Sequence, residues 1–142
     1  MVRRFVVIGL SAMIFGASLL AWSAARADAP SEIRAVINDQ VAALSEGDAR
    51  RAFSHATPNI QSRFGSSEYF MAMVENGYSA LIRPKSFEIE DVKTEGDKAA
   101  ARAYVVAADG RAFYAVYPLA RQPDGQWRID GCFLEAAPGR SL

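Results

Sequence analysis

The sequence predicts an α+β domain in which N-terminal helices pack on one side of an antiparallel four-stranded meander. Three observations predict it. Apolar residues recur at three- and four-residue spacing as far as Gly77, and strict alternation replaces that period after Arg83-Pro84. Asp-Gly pairs at 109–110 and 124–125 then punctuate the second half as hairpin turns do.

The chain opens with Arg3 and Arg4 ahead of an apolar run from Phe5 to Leu10, which continues through small residues to Trp22. Ala25-Arg26-Ala27 follows as a small-residue cleavage site, so residues 1–27 read as a signal peptide cut after Ala27, and 28–142 as one domain. A retained anchor is the alternative, but Gly9, Ser11, Gly16 and Ser18 dilute the apolar stretch. The protein is therefore expected to be exported, most simply to the periplasm, and to meet a membrane only through this segment.

In the remaining chain Pro30-Ser31 opens a helix whose apolar positions are Ile33, Val36, Ile37, Val41 and Leu44, ended by Gly47. Gln40 falls on the same stripe, where a buried amide must find a partner or line a cavity. Asp48 is placed to cap a short helix carrying Ala52, Phe53 and Ala56, and Thr57-Pro58 starts another with Ile60 and Phe64 inward. Ser66 or Ser67 caps a fourth, with Phe70, Met73 and Val74 apolar and Gly77 as its stop.

Phe87 and Ile89 alternate with Glu88 and Glu90 in the first strand, Glu95-Gly96-Asp97 turns, and Ala101–Ala107 forms the second. Ala112–Leu119 is the third and Trp127–Glu135 the last. If both Asp-Gly pairs are two-residue loops, Tyr104 faces Ala115, Arg102 faces Tyr117, and Tyr117 faces Cys132. One sheet face then carries Arg102, Tyr104, Phe113, Tyr117, Leu119, Asp130, Cys132 and Leu134. The other carries Val105, Tyr114, Val116, Ile129 and Phe133. Both are apolar enough to need cover, which predicts self-association, a homodimer, through the face the helices leave open.

Composition excludes several functions. Of 142 residues, sixteen are basic and sixteen acidic, and without residues 1–27 the balance is 13 basic to 16 acidic, with no basic stripe for nucleic acid. One His and one Cys give no metal site, no nucleophilic triad accompanies them, and the glycines form no phosphate loop, so no cofactor is expected. Cys132 is expected to be a buried thiol, and His55 to meet a helix end or a carbonyl.

Ala52-Phe53, Ala56-Thr57-Pro58 with Ile60, Phe64-Gly65, Phe70, Met73-Val74, Gly77-Tyr78, Arg83-Pro84, Asp109-Gly110, Tyr117 and Trp127-Arg128-Ile129 with Gly131 resemble the bacterial family called domain of unknown function 4864. The element order resembles the wider nuclear transport factor and ketosteroid isomerase superfamily. The resemblance implies a cone of helices closed by a curved sheet with a pocket between, and it implies no reaction. Ile82 and His55 depart from the family pattern, which often has Trp and an apolar aromatic there.

The superfamily likeness suggests one enzymatic arrangement, with Asp130 as proton-abstracting base and Tyr104 or Tyr117 as oxyanion donor. The plainer alternative pairs Asp130 with Arg102 or Arg128. A binding module needs less: Gln40, Phe53, Phe70, Val74 and Tyr78 from the helices meeting Tyr104, Phe113 and Tyr117 from the sheet around a small, mostly apolar ligand. The sequence favours such a non-catalytic binding domain over a protein-interaction module and over an isomerase-like enzyme.

Overall fold

The structure, a computed structural model, describes residues 28–139. The expected signal peptide lies outside the described residues. Four helices come first: α1 (Ala29–Glu46), α2 (Ala49–Ser54), α3 (Pro58–Phe64) and α4 (Ser67–Gly77). A helical turn at Ser79–Leu81 leads into β1 (Ser86–Glu95), β2 (Lys98–Val106), β3 (Ala112–Arg121), β4 (Trp127–Ile129) and β5 (Phe133–Ala136). Among the described residues no helix is long and apolar enough to cross a membrane.

Each helix starts where a side-chain oxygen can take an otherwise unpaired backbone N–H. Asp28 caps α1 through Ser31 N at 2.9 Å, so the helix starts at Ala29, one residue before Pro30. Asp48, Thr57 and Ser66 cap α2, α3 and α4. Gly47 ends α1 at φ 73°, a left-handed cap that only glycine adopts without strain.

The sheet is antiparallel in the order β1-β2-β3, and β3 pairs with both β4 and β5 along its other edge. The last expected strand, Trp127–Glu135, is thus broken at Asp130–Cys132, where Gly131 takes φ 150°. A bulge between Ile89 and Asp91 keeps Phe87, Ile89 and Val92 on one face despite their uneven spacing. Arg34 of α1 donates to the Ile89 carbonyl at 2.7 Å, beside that irregularity.

The expected register is wrong by one residue between β2 and β3. Tyr104 pairs with Tyr114, Arg102 with Val116, and Ala101 with Tyr117. The reason lies in the loop, because Ala107 N donates to Arg111 O and Gly110 N to Ala107 O, leaving three residues in the turn. Asp109 accepts from Arg111 N at 3.0 Å while Gly110 supplies φ 87°, the geometry of a type I turn with a glycine bulge. The Asp124-Gly125 loop repeats it, with Gln126 N on Asp124 Oδ1 at 2.9 Å and Gly125 at φ 84°.

That shift exchanges faces on β2 and corrects the expected sets. Ala101, Ala103 and Val105 face inward with Phe113, Ala115, Tyr117, Leu119, Ile129 and Leu134, joining Ile33, Ile37 and Leu44 of α1 in one core. Arg102 and Tyr104 turn to the outer face with Tyr114, Val116 and Phe133. There the Arg102 guanidinium lies 4.9 Å from the Tyr114 ring centre, and the Tyr104 hydroxyl donates to the Pro138 carbonyl at 3.0 Å.

Candidate functional site

A cleft of about 210 Å³ opens between α1, α3 and α4 and the broken strand from Ile129 to Phe133. Its wall follows from the helical period. Leu44, Ile60, Phe70 and Val74 are buried positions on three different helices, and their apolar stripes converge on the segment that leaves the sheet. Phe70 is held by Phe53 and Phe64, with ring centres 5.3 and 5.8 Å away.

The polar groups at the cleft are Gln40, Asp130, Tyr78, Cys132 and, at its exposed rim, Arg63. Gln40 is only 5% exposed and its Nε2 donates to the Ala52 carbonyl at 3.2 Å, which orients the amide; its Oε1 accepts from no described residue. Asp130 is positioned by α3's cap, since the Thr57 hydroxyl donates to Asp130 Oδ1 at 2.6 Å. Backbone bonds from Thr57 N to Ile129 O and from Ile129 N to His55 O fix the same junction.

Asp130 therefore pairs with neither Arg102 nor Arg128; Arg102 reaches Glu90 at 3.7 Å instead. Of the residues expected to bind a ligand, Gln40, Phe70, Val74 and Tyr78 line the cleft. Phe53 stands behind Phe70, and Tyr104 is on the opposite side of the sheet because of the register shift. Tyr117 is fully buried beneath the cleft lining, and Phe113 lies outside it. Sequence reasoning missed Leu44, Met73, Leu81 and Arg63 as lining; the break at Gly131, where the chain must leave the strand, was the available signal for residues 130–133.

The buried Tyr117 and the half-buried Cys132 have shifted titration. Burial pushes the Tyr117 phenol well above its ordinary value, and the hydroxyl makes no hydrogen bond among the described residues. Cys132 is close enough to interact with it electrostatically, but the pair does not reach hydrogen-bond geometry. Burial pushes the Cys132 thiol up to about 12, so it is neutral at physiological pH.

His55 does not simply meet a helix end. Its Nε2 lies 2.5 Å from Asp39 Oδ2, and Arg51 engages Asp39 and also Glu46 at 2.8 Å, tying α2 to α1 outside the cleft. Among the described residues no group of three or more His, Cys, Asp or Glu is placed to hold a metal ion.

No curated protein is significantly similar to the chain in sequence. Solved structures share its fold. An NTF-2 like protein of unknown function from Burkholderia xenovorans LB400 matches with a TM-score of 0.50 at 17% identity, over 80% of this chain and 89% of that one. A DUF4783 family protein from Bacteroides ovatus matches with a TM-score of 0.52 at 9% identity, over 71% and 94%. A protein from Catenulispora acidiphila in complex with S-DNPA matches with a TM-score of 0.50 at 15% identity, over 75% and 92%. The model of the family described as Domain of unknown function (DUF4864) matches residues 26–142. The chain belongs to that family, and its fold is NTF2-like.

Proposed function

We propose that the protein is an exported, non-catalytic domain that holds a small, largely apolar molecule in the cleft beside Asp130. The observation that carries this reading is the cleft's construction: apolar side chains from three helices surround a few fixed polar groups, one of them a buried amide with an unused acceptor. The similar fold from Catenulispora acidiphila in complex with S-DNPA is consistent with a binding role. Export rests on the N-terminal sequence pattern alone.

A proton-transfer enzyme is less well supported. Its base needs a tyrosine donor across the same cavity, whereas Tyr104 is committed to Pro138 on the far face and Tyr117 lies outside the lining. Native mass spectrometry of the protein purified from its own cell envelope tests the reading. It should report a chain beginning at Asp28 with a retained small molecule. An intact N-terminus would overturn export, and proton exchange on a model ketone that Asp130→Asn abolishes would overturn the non-catalytic role.

A further inference from the structure

We propose that the cleft selects a primary ammonium group carried on a compact apolar body, an inference that rests on reading the cleft as a ligand site. The two fixed polar groups in its wall are both acceptors. Gln40 Oε1 has no donor among the described residues and is not among the fully buried side-chain atoms, so it stays open to a donor supplied by a ligand. The amide orientation is fixed, because Nε2 is needed against the Ala52 carbonyl.

Asp130 adds a carboxylate whose Oδ1 is occupied by Thr57 and whose Oδ2 accepts from no described residue. No Lys, Arg or His comes within ion-pair distance of it among the described residues. An ammonium answers that demand, with three donors, no acceptor and one positive charge.

The donors of the lining are poorly placed to select an anion instead. Arg63 is exposed at the rim, where water and salt screen it, and Tyr78 is half-buried. The Cys132 thiol is a weak donor. The ligand's body would contact Leu44, Ile60, Phe70, Val74 and Leu81, and the cleft's size limits it to about one ring.

The test titrates the full chain with benzylamine, benzyl alcohol, toluene and benzoate, following the backbone amide resonances of residues 129–133. Benzylamine should bind about tenfold more tightly than benzyl alcohol and benzoate. Asp130→Asn, which keeps an oxygen for Thr57, should erase that preference without abolishing binding of the alcohol. Equal binding of all four probes, a preference for benzoate, or an amine preference that survives Asp130→Asn would overturn the ammonium inference while leaving the cleft a ligand site. Failure of every probe to shift any of these resonances would overturn the ligand-site reading itself, and the inference with it.

Discussion

The Thr57 hydroxyl donates to Asp130 Oδ1 across a separation of 73 residues, at 2.6 Å. Thr57 Oγ1 also accepts from Ile60 N at 3.4 Å, so one side chain both caps α3 and orients the carboxylate at the end of β4. Helix and sheet are joined at the mouth of the cleft by this contact and by the backbone pairing of Ala56 with Ile129.

Thr57→Val should remove both bonds while keeping the side chain's shape. Loss of a cap and of a part-buried hydrogen bond to a carboxylate predicts a stability decrease of about 1–3 kcal/mol, measured by urea denaturation. Thr57→Ser, which retains the hydroxyl, should lose less than half as much. Equal losses in the two variants would point to the methyl group instead.

Tyr117→Phe is expected to stabilise. The hydroxyl is buried without a hydrogen bond, so the folded state bears a desolvation cost that the unfolded state does not. Removing the oxygen leaves the ring in place against Phe87, 6.4 Å between centres. The midpoint of urea unfolding should rise by the equivalent of about 1 kcal/mol, with the slope unchanged.

Acid should weaken the link between α1 and α2. Hydrogen bonds from Arg51 first, then His55, hold the Asp39 carboxyl well below the ordinary carboxylate range. A depressed folded value contributes stability that is complete above the unfolded value, about 3.9, and is lost as pH falls toward the folded one. Asp39→Asn should therefore be less stable than the native chain at about pH 6, with the gap closing below about pH 4. The Asp39 side chain is 41% exposed, so added salt should shrink the gap.

Cys132 should be slow to alkylate. Its thiol is pushed up to about 12 by burial, so little thiolate exists near neutral pH, whereas the unfolded chain titrates near 8.5. Iodoacetamide should modify the native protein at least tenfold more slowly than the urea-unfolded protein at about pH 8. Because folding holds the thiol neutral, stability should fall as pH rises above about 8.5. A native labelling rate equal to the unfolded one would show an accessible, reactive thiol instead.

Much of the helical half was legible because its signals are local. Asp48 as a cap and Thr57-Pro58 as a helix start are readable without any tertiary contact, since each oxygen acts on an N–H three residues along. Gln40 stood out as an amide on an apolar stripe, and it lines the cleft. The ion group around Asp39 was not legible, because Arg51 on α2 and His55 at its C-terminal end reach it only through the angle at which α2 folds back on α1.

The sequence by itself determined the α+β class, the order of the elements, the helix ends and the places where the strands turn. Those depend on periodicity and on interactions spanning a few residues. Only the tertiary structure decided the register and the face each strand offers. An Asp-Gly pair fits a two-residue and a three-residue loop alike, and the one-residue difference moved Tyr104 to the outer face while bringing Ala101 and Ala103 into the core beside Tyr117. The cleft depended on the same level. Its polar wall exists because Gly131 breaks the last strand where α3's cap can reach Asp130, a meeting set by packing between segments that share no local signal.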